Sequence, residues 1–174
     1  MTELRALVLL CALAFSAVAD AKPRRAVDPE TAYASSIAGK TYRSYSPQHG
    51  TQVEYLSPAG KAYLWYPGNR VVLAGDWRVE PDPHAPRFLE IPPGSGHVEE
   101  APPRFQRCYR YGANTYNPVT GSSGATWECQ GVFSAGLGEP MAGDVFGLAT
   151  RSAPPFVMDK RAYRYGDLKA ASAR

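Results

Sequence analysis

The strongest constraint on the fold is the spacing of turns in the run from Ile37, "IAGKTYRSYSPQHGTQVEYLSPAGKAYLWYPGNRVVLAGDWRVEPDP". Apolar stretches of about four to six residues alternate with "SPQHG", "SPAGK", "YPGN" and "LAG", each carrying proline or glycine where a chain must reverse. Segments this short leave no room for ordinary helices, so the simplest structure is an antiparallel meander. Strands are expected at Lys40–Tyr45, Thr51–Leu56, Ala62–Tyr66, Arg70–Ala74 and Asp76–Glu80. Sixteen glycines, sixteen prolines and eleven tyrosines in 174 residues point the same way, toward a mainly β fold with one core.

Two of these strands say which way they face. In "DWRVE", Trp77 and Val79 share one side while Asp76, Arg78 and Glu80 share the other, giving one dry face and one wet face. "KAYLWY" does not divide in this way: Ala62, Leu64 and Tyr66 lie on one face and Tyr63 and Trp65 on the other. Either that strand is covered on both sides, or an aromatic face is left open for binding.

The segment "PDPHAPRFLEIPPGSGHVEEAPP" holds seven prolines around a single apolar island at Phe88–Ile91. Proline removes ladder donors, so residues 81–104 are expected as an excursion outside the main sheet. Beyond it, "RFQRCYRYG" and "ATWECQGVF" read as two strands of a long hairpin, and further strands are expected near Val145–Thr150 and Phe156–Met158. "RCYRYG" is echoed by "RAYRYG" at Arg161–Gly166, but nothing else matches at that offset, so the echo marks similar strand endings and not a duplication.

The N-terminus has the layout of a secretory signal peptide over residues 1–21: Arg5, an apolar run from Ala6 to Ala19, then small residues at alternating positions. The run is too short to span a bilayer comfortably, so no transmembrane segment is expected after processing. The expected location is periplasmic or secreted. Export in turn assigns Cys108 and Cys129, the two cysteines outside the leader, to a structural disulfide, because an oxidising compartment pairs such thiols and the spacing is not that of a redox-active C-x-x-C. Residues 22–36 read as a flexible tether with at most one helical turn. Residues 37–158 read as the β domain, and residues 159–174 as a charged, alanine-rich tail that ends as a short helix or frays.

"IAGKTYRSY", with glycine shortly before Tyr42, the strand at Gly75–Trp77 and the late cysteine hairpin together resemble small exported bacterial proteins of unknown function with a lipocalin-like, or calycin-like, β-barrel. The resemblance spans roughly residues 37–150. It implies an eight-stranded barrel or half-barrel whose interior holds a small apolar ligand, and it carries no catalytic residues.

No motif adds a reaction. His49, His84 and His97 fall in predicted loops without a second ligand at metal spacing, so no metal is expected. The Glu99–Glu100 pair lies in a proline-rich loop that cannot readily desolvate it. "TGSSGAT" is not a nucleophile elbow, and no phosphate-cradling glycine loop is present, so no cofactor is expected. The formal charge of +3, or +4 once a leader carrying Glu3, Arg5 and Asp20 is removed, suits an ordinary soluble protein. Nucleic acid is excluded, since the basic residues are not interleaved with aromatics on one strand.

Two readings of function follow. One is a binding module, in which Tyr55, Tyr63, Trp65, Trp77, Tyr109 and Trp127 line a barrel mouth and take an apolar or carbohydrate ligand. Tyr63 and Trp65 are its leading pair, with Tyr55 and Tyr109 beside them. The other is a structural protein of the cell envelope, whose aromatics are core and whose surface meets an envelope polymer or protein. An open cavity of several hundred cubic ångströms would favour the first, and a filled interior the second.

Overall fold

The computed structural model describes residues 26–116, 121, 123–131 and 140–173, so the leader and the first residues of the expected tether lie outside the described residues. The tether itself needs correction. Asp28 caps a nine-residue helix, α1 (Pro29–Ile37), by accepting from the Thr31 amide at 3.0 Å, and Pro29 occupies the first turn, where its missing N–H costs nothing.

The meander follows as β1 (Lys40–Ser46), β2 (Gly50–Leu56), β3 (Lys61–Trp65) and β4 (Leu73–Pro81). Two strands were expected at Arg70–Ala74 and Asp76–Glu80. They form one, because Gly75 lies inside the ladder opposite Ala62 and does not turn the chain. A side chain at Gly75 would meet the Arg110 carbonyl at 2.3 Å, so glycine is required there by close approach of β7 (Phe105–Arg110).

The proline-rich excursion stays outside the main sheet, as the missing donors require. Its short strands, β5 (Phe88–Glu90) and β6 (Val98–Glu100), pair only with each other. The chain then returns as β7, pairs with β4 over Asp76–Pro81, and continues into β8 (Glu128–Gly131). Cys108 and Cys129 face each other across β7 and β8 and are bonded, closing a separation of 21 residues.

On the far side, β9 (Met141–Ala142) pairs with β1. The result is a curled, fully antiparallel half-barrel of seven strands in the order β8-β7-β4-β3-β2-β1-β9. The strands expected near Val145–Thr150 and Phe156–Met158 are absent; a 3-10 turn (Leu148–Thr150) and extended loop occupy those positions. No helix among the described residues is long and apolar enough to cross a membrane.

Both faces of the sheet are covered, which resolves the two-sided pattern of "KAYLWY". On the inner face, Leu56, Ala62, Trp77 and Val79 pack beneath α1 with Ile37, and the Tyr42 hydroxyl donates to the Ile37 carbonyl at 3.0 Å. On the outer face, Val53 and Trp65 pack with Phe146, Leu148, Met158, Tyr163 and Leu168. Leu168 belongs to α2 (Tyr165–Ser172), so the charged tail is helical and docked.

Two buried threonines hold the C-terminal segments to that face. Thr41 donates to the Gly143 carbonyl at 2.6 Å, while Thr51 donates to the Arg161 carbonyl at 2.9 Å and accepts from the Tyr163 amide at 2.8 Å. Each buried hydroxyl is thereby paired, as burial demands.

Candidate functional site

The helix α1 fills only one end of the inner face. Toward the other end, where the β1–β2 turn, the end of β3 and the end of β7 converge, the half-barrel encloses a cavity of about 630 Å³. Its wall follows strand alternation: Tyr42, Ser44 and Ser46 from β1, Gln52 and Glu54 from β2, Leu64 from β3, Leu73 from β4, Tyr109 from β7 with Tyr111 just beyond it, and Glu128 and Gln130 from β8. The same parity that sends Leu56 into the core sends Gln52 and Glu54 into the cavity.

Glu54 is the chemical centre of this wall. Its carboxylate accepts from the Tyr111 hydroxyl and is hydrogen-bonded to Tyr109, which also bonds Arg107. Arg107 is only 4% exposed and stands behind the wall; its Nε and Nη1 have no acceptor among the described residues. Burial pushes the Glu54 carboxyl up to about 8, while Arg107 and the Tyr109 bond act in the opposite direction. Burial, with Glu54 beside it, also raises Tyr109 far above the ordinary phenol range.

A pH dependence follows from this geometry. The groups facing Glu54 are Arg107 and Tyr109 on β7, Tyr111 after it, and Tyr42 on β1. Because the folded-state value of about 8 lies above the ordinary 4.5, this residue's contribution is most favourable below the ordinary value and is lost as pH rises through about 8. Denaturant titrations over that range should show the native protein losing stability relative to Glu54→Gln. Parallel profiles for the two proteins would refute the assignment.

His49 was expected in a solvated loop. Its ring is half-buried at the edge of the cavity, with Nδ1 2.8 Å from the Tyr66 hydroxyl, and burial, with Lys160 nearby, holds it below the usual imidazole range. The Glu99 side chain, by contrast, lies on the exposed β6 beside His97, 3.1 Å away, as a solvent-facing pair.

The expected binding residues are divided between two faces. Tyr109 lies on the cavity wall. Tyr55 and Tyr63 stack on each other on the outer face, with ring centroids 6.2 Å apart, and Trp65 is fully buried there. The placement of Trp65 at a rim is therefore corrected, since Phe146, Leu148 of the 3-10 turn and Leu168 of α2, which strand-by-strand reading did not supply, pack with it in one core; Tyr63 beside it is half-buried. Trp77 is core, its Nε1 donating to the Ser57 carbonyl at 2.9 Å. Trp127 lies under two guanidinium groups, Arg78 at 4.1 Å and Arg110 at 4.8 Å from its ring centroid.

Residue reading missed Glu54, Arg107, Tyr111 and His49. Parity alone held a trace of the first, since "GTQVEYL" puts Gln52 and Glu54 on the side of Leu56. No family model, curated protein or solved structure matches the chain.

Proposed function

We propose that this chain is an exported binding protein whose half-barrel cavity holds a small, ring-shaped polar ligand such as a sugar, without catalysing a reaction. The observation that supports this most is the cavity itself, about 630 Å³ at the end of the inner face away from α1. That size suits one small molecule. Its wall combines tyrosine rings with hydroxyl and amide side chains, among them Ser44, Gln52, Asn69, Asn114 and Gln130, a mixture that stacks against a ring and hydrogen-bonds its substituents. A purely apolar ligand would leave those groups unpaired, which is costly. The disulfide fits an oxidising compartment and so supports export.

A structural envelope protein has no need of such an opening, and the two readings part at one substitution. Ser44 lies on the cavity wall in the edge-proximal strand β1, so Ser44→Trp fills the space without entering either core. Native mass spectrometry of protein purified from the exported fraction should show a retained small molecule on the native chain and none on Ser44→Trp, with the two melting at similar temperatures. Equal spectra, both without added mass, would sink the binding reading.

A further inference from the structure

We propose that this chain associates with further copies of itself, head to tail, the acidic β5–β6 ribbon of one copy docking on a basic surface around Val71 and Val157 of the next. The ribbon lies outside the main sheet, and neither of its strands holds a buried residue. Phe88 pairs with Glu100 and Glu90 with Val98, so strand alternation puts all four side chains on one face. On that face Phe88 is 62% and Val98 58% exposed, two apolar groups set diagonally across one short ladder with nothing of their own chain over them.

Charge sets the ribbon apart from the rest of the molecule. Residues 82–103 hold the carboxylates of Asp82, Glu90, Glu99 and Glu100 against the single guanidinium of Arg87, on a chain that is formally +3. Glu90 accepts from the Gly96 amide and Glu99 meets His97, whereas Glu100 has no ion-pair partner among the described residues.

The counterpart lies where residues 68–72 and 152–158 run alongside each other. The Gly68 amide donates to the Met158 carbonyl and the Val72 amide to the Ser152 carbonyl, both at 2.8 Å. Val71 and Val157 are 53% and 51% exposed, and Arg70, Arg151 and Lys160, next to these segments in sequence, are exposed and without ion-pair partners among the described residues. The one acid on this stretch, Asp159, is engaged by Arg161 at 3.4 Å.

The occupant is a second copy because the chain itself carries the surface of opposite sign that the ribbon lacks. Ribbon against ribbon would set like charges together, which opposes a symmetric dimer through the ribbons. Two unlike surfaces make a heterologous contact, so growth does not stop at two copies unless a ring closes. A contact this small gives weak, concentration-dependent association.

Sedimentation velocity of the full chain over a concentration series at low salt is the test. Native protein should grow past the dimer as concentration rises. A tenfold increase in salt should weaken that growth severalfold, since it shortens the screening length about threefold. Phe88→Ser/Glu100→Gln removes the ribbon half of the contact, Arg70→Gln/Val71→Ser the other half, and each variant alone should remain monomeric. Mixed in equal amounts, the two should form a dimer and stop there, because the intact ribbon of the second meets the intact surface of the first. Should either double variant melt early, Glu100→Gln and Arg70→Gln alone replace them, each weakening association severalfold. A native chain that stays monomeric throughout, growth indifferent to salt, or folded variants that do not complement would overturn the proposal.

Discussion

Trp65→Ala is expected to destabilise the fold by about 3–5 kcal/mol, the range for removing a buried aromatic and leaving its space unfilled. The indole is completely enclosed. It meets Phe146 and Phe156 edge-on, with centroids 5.5 and 4.9 Å away, and its Nε1 donates to the Phe156 carbonyl at 3.0 Å. Truncation therefore empties the centre of the outer core and strands a carbonyl. Trp65→Phe should lose less, since a ring remains and mainly the hydrogen bond is forfeited, about 1 kcal/mol. Urea unfolding of the three proteins measures both values. A loss below about 1 kcal/mol for alanine would mean that Trp65 is not a core anchor. The substitution also separates the two faces of the sheet, because Trp65 lies opposite the cavity and whatever folded Trp65→Ala remains should bind ligand as the native chain does.

The second large effect concerns the disulfide. Replacing both Cys108 and Cys129 by serine should cost about 3 kcal/mol, through the freedom returned to the unfolded chain over a separation of 21 residues. Denaturant curves with and without reductant, beside those of the double serine variant, provide the measurement, and an unchanged midpoint would contradict it. A functional consequence is expected as well. The bridge ties β8 to β7 at the edge of the sheet, and β8 brings Glu128 and Gln130 to the cavity wall. Breaking the bond should weaken ligand retention before it unfolds the protein, because an edge strand held on one side opens first.

Much of this architecture was legible in short segments. Turn residues at close spacing dictated the meander, and the period of two in "DWRVE" placed Trp77 and Val79 on the buried side, where both are 7% exposed. Missing proline donors kept β5 and β6 out of the main ladder, and the expectation of export, with two thiols outside the leader, predicted the Cys108–Cys129 bond that the structure shows. Each of these properties is local: it depends on donors, sterics or alternation within a few residues. The helix α1 was local too and was missed, because the Asp28-Pro29 start was read as a single turn and not followed to Ile37.

The candidate site was not legible in that way. Alternation shows that Gln52 and Glu54 share a face with Leu56, but a polar residue on the inner side of a strand reads the same whether bulk water or a cavity lies beyond it. Only the curl of the sheet, which brings β7 and β8 around to face β1 and β2, converts that wet face into a wall and sets Tyr109, Tyr111 and Arg107 around one carboxylate. The same holds in reverse for Trp65, whose strand shows apolar surface on both sides and leaves open which side is covered. Residues 91 to 103 positions further along the chain decide that, when Phe156 and Leu168 close over it. Strand identity and parity are set by neighbours in sequence; burial, and with it the raised proton affinity of Glu54, is set by contacts between distant segments that no single stretch encodes.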